Sequence, residues 1–249
     1  MHLELEGTAV LVTGGSKGIG LACARAFAQE GARVAIASRS VANLDRAAAA
    51  LAKEGFDVLT IAADLRDAVQ ARQMARTVEE RLGGVGVLVN SAGAALRTPP
   101  DELTAEHWQA AMQAKYFTYI HAIDAILPGM VKRGGGVIVN VVGMGGKVAS
   151  PIHLPGGAAN AALMLASAGL GNAFAGKGIR VNAVNPGATE TPIYAPLPDE
   201  VKAAVAADSV MKRLAQPDEI AGAVAFLASA DASFATGSTV NVNGGSWFS

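Results

Sequence analysis

Along the chain, short runs of β-branched and apolar residues alternate with longer stretches in which apolar positions recur every three to four residues. The first pattern suits buried strands and the second suits helices with a buried face. Strands are expected at about 8 to 13, 32 to 38, 57 to 61, 86 to 90, 136 to 142, 179 to 184 and 238 to 242. Helices are expected between them, at about 18 to 29, 42 to 53, 67 to 82, 105 to 132, 156 to 175 and 217 to 229. Strand and helix in strict alternation is the signature of βαβ units and a parallel sheet, so the fold class is α/β. Thr104 is placed to cap the helix from 105, Pro217 suits a first turn, and Gly31 and Gly55 suit the ends of the helices before them. The segment 188–209, with Pro192, Pro196 and Pro198, reads as an irregular, lid-like stretch and the most mobile part of the chain.

Composition narrows the function classes. Half of the 249 residues are hydrophobic (51%), and 29 glycines suit helices set close on a sheet. The formal net charge is −1 with basic residues scattered, which gives neither a nucleic acid nor an anionic membrane an electrostatic footprint. Cys23 is the single cysteine, so a reducing compartment such as the cytoplasm is expected, with no disulfide and no cysteine metal site. The N-terminal residues lack the basic start and apolar stretch of a secretion signal and are read as opening the fold directly. The most apolar stretch, Ala158 to Ala175, is interrupted by Asn160, Ser167 and Asn172 and is read as a helix buried on several sides, between subunits, rather than as a membrane span.

The first strand runs into Gly14-Gly15-Ser16-Lys17-Gly18-Ile19-Gly20, and a helical pattern follows at once. Residues without Cβ let the backbone turn tightly and approach a pyrophosphate, whose charge the free N–H groups and the helix dipole stabilise. The spacing is T-G-x-x-x-G-x-G from Thr13. With it come Asn90-Ser91-Ala92-Gly93, which is similar to an N-N-A-G motif, and Asn185-Pro186-Gly187 with Thr191, which is similar to P-G-x-x-x-T. In these segments, spread over nearly the whole chain, the protein resembles the short-chain dehydrogenase/reductase family. The resemblance implies a single-domain Rossmann-type doubly wound sheet of about seven strands over residues 1–249, and commonly a homotetramer. It also implies that Asp64 and Leu65 hold the adenine, that Asn90, Ala92 and Gly93 support the adenosine side, and that Pro186, Gly187 and Thr191 flank the nicotinamide. At the end of the second strand, where an acid would favour NAD, the chain has Arg39, with Lys17 as a second cation in the glycine turn. That pair predicts NADP(H).

The family's catalytic pattern is a Ser, a Tyr thirteen residues later, a Lys four after that, and an Asn on an earlier helix. Aligned on Val137-Ile138-Val139-Asn140, these positions hold Gly143, Gly156, Asn160 and Lys115, and no Y-x-x-x-K occurs after residue 140. Lys115 and Asn160 look like an exchange of the family's Asn and Lys. Two side chains are then candidates for the missing proton donor. One is Lys115, whose alternative is an apolar stem along a subunit interface with its ammonium in water. The other is His153, whose alternative is a loop histidine facing water. Three functions stay open: an NADP(H)-dependent oxidoreductase acting on a small carbonyl or alcohol with a non-standard proton donor, a catalytically silent NADP(H)-binding sensor or partner subunit, and a non-redox lyase or isomerase using the enlarged pocket.

Overall fold

The computed structural model describes residues 3–93, 95–192 and 194–248. Seven strands, β1 (Ala9–Thr13), β2 (Arg33–Ser38), β3 (Val58–Ala62), β4 (Val87–Asn90), β5 (Gly136–Val141), β6 (Ile179–Pro186) and β7 (Thr239–Val242), form one sheet in the order β3-β2-β1-β4-β5-β6-β7. Every pairing is parallel. Parallel strands are covered on both faces, so alternate side chains of one strand enter different cores. Val10 and Val12 face one side with Ile36, Val139, Phe27 and Ile220. Leu11 faces the other with Leu88, Ile138, Met74 and Met130.

The helices are α1 (Gly18–Gln29), α2 (Val41–Lys53), α3 (Ala68–Leu82), α4 (Ala105–Ala111), α5 (Thr118–Arg133), α6 (Leu154–Phe174), α7 (Asp199–Ala207) and α8 (Pro217–Ala228). Gly31 and Gly55 take the left-handed backbone expected of helix ends, at φ +75° and +90°. Two expectations need correction. The helix expected at 105 to 132 is α4 and α5 joined by a π-helical turn over Met112–Phe117, which carries Lys115. A single wide turn leaves no mark on the apolar period; it forms where the chain after β4 presses against the helix, so close that a Cβ on Gly93 would overlap the Ala114 carbonyl. The stretch 188–209 is also not irregular throughout, because α7 lies within it; Ile193 in this stretch lies outside the described residues.

Pro151–Lys177, which contains α6, is long and apolar enough by composition to cross a membrane (mean hydropathy 1.2). Its inner face packs on the sheet, with Leu163 beside Tyr119, Val142 and Ala183. The outer face is a stripe of small and apolar residues, including Ala158, Ala161 and Leu165, the last 77% exposed.

Candidate functional site

The connections from β1 and β4, neighbours at the centre of the sheet, leave toward opposite sides, and a crevice opens at the carboxyl ends of the strands. It is a cleft of about 640 Å³. The turn after β1 forms one wall, Asp64 to Arg66 after β3 form the far end, and Ser91 to Gly93, Pro186, Gly187 and Thr191 form the rest. The glycine turn folds so tightly that a Cβ on Gly20 would overlap the Gly14 carbonyl, which leaves no room for a larger residue. Lys17 is the N-cap of α1 and makes no side-chain cap bond, so the first N–H groups of the helix remain available to an anion.

One end of this cleft is cationic. Lys17 and Arg39 are exposed on its rim. Arg66, which the sequence did not single out, joins them. Its Nε donates to both Asp64 oxygens at 3.0 Å, and the guanidinium holds the Asp64 carboxyl below the usual carboxylate range against a smaller opposing effect of burial. Asn90 behaves differently from its neighbours: it does not line the cleft. Its Nδ2 donates to Asn140 Oδ1 at 3.0 Å, Thr13 Oγ1 donates to its Oδ1 at 3.2 Å, and Asn140 Nδ2 donates to Ser167 Oγ at 2.9 Å. This buried polar chain ties β1, β4 and β5 to α6 beneath the crevice, and the partners Asn140 and Ser167 went unnoticed in the sequence because they are remote along it.

A second cavity, of about 570 Å³, adjoins the first and shares Gly93, Lys115, Gly143, Pro186, Gly187 and Tyr194 with it. Lys115 turns inward rather than toward solvent. Its Nζ donates to Tyr119 Oη at 3.1 Å and to the Val141 carbonyl at 3.2 Å, and Tyr119 Oη donates to the same carbonyl at 2.6 Å. Among the described residues no carboxylate pairs with it, and burial pulls the ammonium down from 10.5 to about 8. The same burial raises the Tyr119 phenol, so the tyrosine stays protonated.

His153, Gly156, Asn160 and Gly143 meet around this cavity. The imidazole lies against Gly156 so closely that a Cβ there would overlap the ring. His153 is half-buried and its Nδ1 has no hydrogen-bond partner. Desolvation, then the charges of Arg97 and Lys115, hold the ring below the usual histidine value, against a backbone hydrogen bond at Leu96 that raises it. Asn160 is buried with Oδ1 unpartnered, and its Nδ2 would stand 3.2 Å from a Cβ at Gly143. Gly143 sits at φ +125°, which disfavours any side chain, and its N–H donates to Asn185 Oδ1 at 3.1 Å. Cys23, outside the site, is buried, and burial pushes its thiol up to about 12, which disfavours the reactive thiolate.

Residues 14–246 match the family described as enoyl-(acyl carrier protein) reductase. An acetoacetyl-CoA reductase of Allochromatium vinosum is 32% identical over 243 residues, which are 94% of this chain and 96% of that protein. A 3-oxoacyl-(acyl-carrier-protein) reductase of Vibrio cholerae is 33% identical over 98% of both. Among solved structures, L-sorbose reductase from Gluconobacter frateurii, complexed with NADPH and L-sorbose, superposes with a TM-score of 0.92 at 31% identity over 98% of each chain. The sheet order, the crevice at its centre and this end-to-end similarity agree, and the chain belongs to the short-chain dehydrogenase/reductase family of oxidoreductases, which bind nicotinamide cofactors.

Proposed function

We propose that the chain is an NADP(H)-dependent oxidoreductase for a small carbonyl or alcohol substrate, with Lys115 as the proton donor in place of the family's tyrosine. The observation that carries this reading is the position of Lys115 on the wall common to the two clefts, with its ammonium brought near neutrality by burial. The first cleft fits the cofactor: the glycine turn admits no side chain at Gly20, the N–H groups of α1 are free, and three cations stand at one end. In this assignment Gly14, Ser16, Gly18, Ile19 and Gly20 hold the pyrophosphate, while Lys17 and Arg39 take the 2′-phosphate. Asp64, Leu65, Ala92 and Gly93 border the adenosine side, and Pro186, Gly187 and Thr191 border the nicotinamide side.

When bound, the cofactor supplies a hydride. The chain's own contribution is the proton. An ammonium has three N–H donors; two of Lys115 go to Tyr119 and Val141, and the third is left for a substrate oxygen. A donor titrating near 8 is protonated at neutral pH and gives up its proton readily. His153, with its ring beside Gly156, and Asn160 border the substrate space and orient the substrate. The reading rests on the register in which positions 143, 156, 160 and 115 take the places of the family's Ser, Tyr, Lys and Asn and carry Gly, Gly, Asn and Lys.

The same reading takes 1–249 as one domain, with the 188–209 segment over the substrate. It also takes the molecule as a homotetramer joined through α4–α5 and the exposed apolar face of α6.

The test is calorimetric titration of NADPH and NADH, followed by NADPH oxidation with a panel of small carbonyl compounds, on the native protein and Lys115→Met. Tight NADPH binding with turnover that Lys115→Met abolishes is expected. Turnover that survives in this variant overturns the proton-donor assignment, and tight binding without turnover on any substrate identifies a cofactor-binding protein instead.

A further inference from the structure

The second cavity is unevenly charged. Arg97, in the chain that follows β4, lines it together with Lys115 and His153. Among the described residues Arg97 forms no ion pair; its charge, after burial and with that of Lys115, disfavours the protonated form of His153. Two carboxylates also border the cavity, and neither answers Arg97. Glu219 is clamped by Arg213, with Nη1 and Nη2 donating to its oxygens at 2.6 and 2.7 Å. Asp208, just beyond α7, forms no ion pair with Arg97. A guanidinium, a buried ammonium and a half-buried histidine therefore share one concave surface. Like charges gathered around a cavity repel each other, and a bound anion relieves that repulsion while gaining a bidentate guanidinium partner.

We infer that the substrate of this site is a small oxo acid, with its carboxylate held by Arg97 and its carbonyl turned toward Lys115. This rests on the redox reading above for the reaction, but not for the anion site. The carbonyl carbon gains the hydride given up by NADPH and its oxygen gains the proton from Lys115, so the oxo acid becomes a hydroxy acid and NADP+ is left. A cavity of about 570 Å³ is ample for such a molecule. Arg97 is a specificity residue here, since it touches the substrate away from the reacting atoms.

The experiment compares 2-oxobutanoate, acetoacetate and levulinate with their methyl esters, on the native protein, Arg97→Gln and Arg97→Lys. It follows both NADPH oxidation and calorimetric binding, with and without NADPH. At least one acid is expected to exceed its ester about tenfold or more in kcat/KM, as one charge-assisted pair implies. Arg97→Gln is expected to erase that margin by raising KM for the acid with kcat little changed and the ester unaffected, and Arg97→Lys to restore part of it. Equal use of acids and esters, or a preference that Arg97→Gln leaves intact, overturns the inference while the redox reading stands. If no substrate is turned over, the redox reading has failed, and the anion site is judged on binding alone: acid binding lost in Arg97→Gln supports it, and binding that is absent or insensitive to Arg97 overturns it.

Discussion

Lys115→Met removes the buried charge while keeping most of the side-chain volume. The ammonium titrates near 8 in the folded protein and at 10.5 when exposed, because burial disfavours its charged form. Between these values the unfolded chain holds a proton that the folded one lacks, so the stability of the native protein rises with pH through the window from about 8 to 10.5. Below that window the folded state carries the whole penalty, about 3 kcal/mol at 1.36 kcal/mol per pH unit. Methionine escapes the penalty. It also forfeits two hydrogen bonds at about 1 kcal/mol each, although Tyr119 still satisfies the Val141 carbonyl. At pH 7 the variant is therefore expected to be more stable by about 1 kcal/mol, a rise of about 2 to 4 °C in Tm for a chain of this size. At pH 10.5 the lysine of the folded protein is almost wholly neutral, so most of the penalty is gone while its hydrogen bonds remain, and the order reverses. Urea unfolding of both proteins at pH 7 and above pH 10 measures the difference directly. A difference that does not change sign or shrink with rising pH refutes the argument that an unneutralised ammonium is buried at this wall. The same variant is expected to lose about 10²- to 10⁴-fold in carbonyl reduction, the usual contribution of a positioned acid.

Five further outcomes follow from the geometry. Arg39→Ala is expected to weaken NADPH binding about tenfold or more by calorimetry and to leave NADH unchanged, since one charge-assisted contact to the 2′-phosphate is lost. Gly143→Ala is expected to cost about 1 to 3 kcal/mol in urea unfolding because φ is +125° there, and Gly156→Ala to displace His153, seen as a shifted imidazole resonance in NMR. The rate of carbonyl reduction is expected to be flat below about pH 8 and to fall about tenfold per pH unit above it, as Lys115 loses the proton it donates. Light scattering is expected to report a tetramer, which Leu165→Glu on the exposed face of α6 should convert to smaller species; a native monomer at micromolar concentration refutes the interface.

What the sequence determined by itself is whatever depends on neighbours along the chain. Strand, glycine turn and helix at 9–29 follow from β-branched residues, residues without Cβ and an apolar helical period in immediate succession, and the alternation of such units fixes a parallel sheet. Lys17 and Arg39 are legible as neighbours for the same reason, since one lies in the turn after the first strand and the other follows the second, and both elements are locally encoded. The tertiary structure decided the rest. The π turn at Met112–Phe117 answers to the close approach of Gly93, and α7 forms in a proline-rich stretch whose local signals read as irregular. Whether Lys115 points to solvent or inward depends on a carbonyl 26 residues away, at Val141. The motif at Asn90 does not reveal that its side chain is committed to Thr13 and Asn140, 77 and 50 residues distant. His153 owes its place to the room that Gly156, without a Cβ, leaves beside it. Local patterns set which elements form, because periodicity and capping act within one turn. Burial, charge and hydrogen-bond partners come from segments that meet only when the sheet is assembled, and those contacts decide the chemistry of the site.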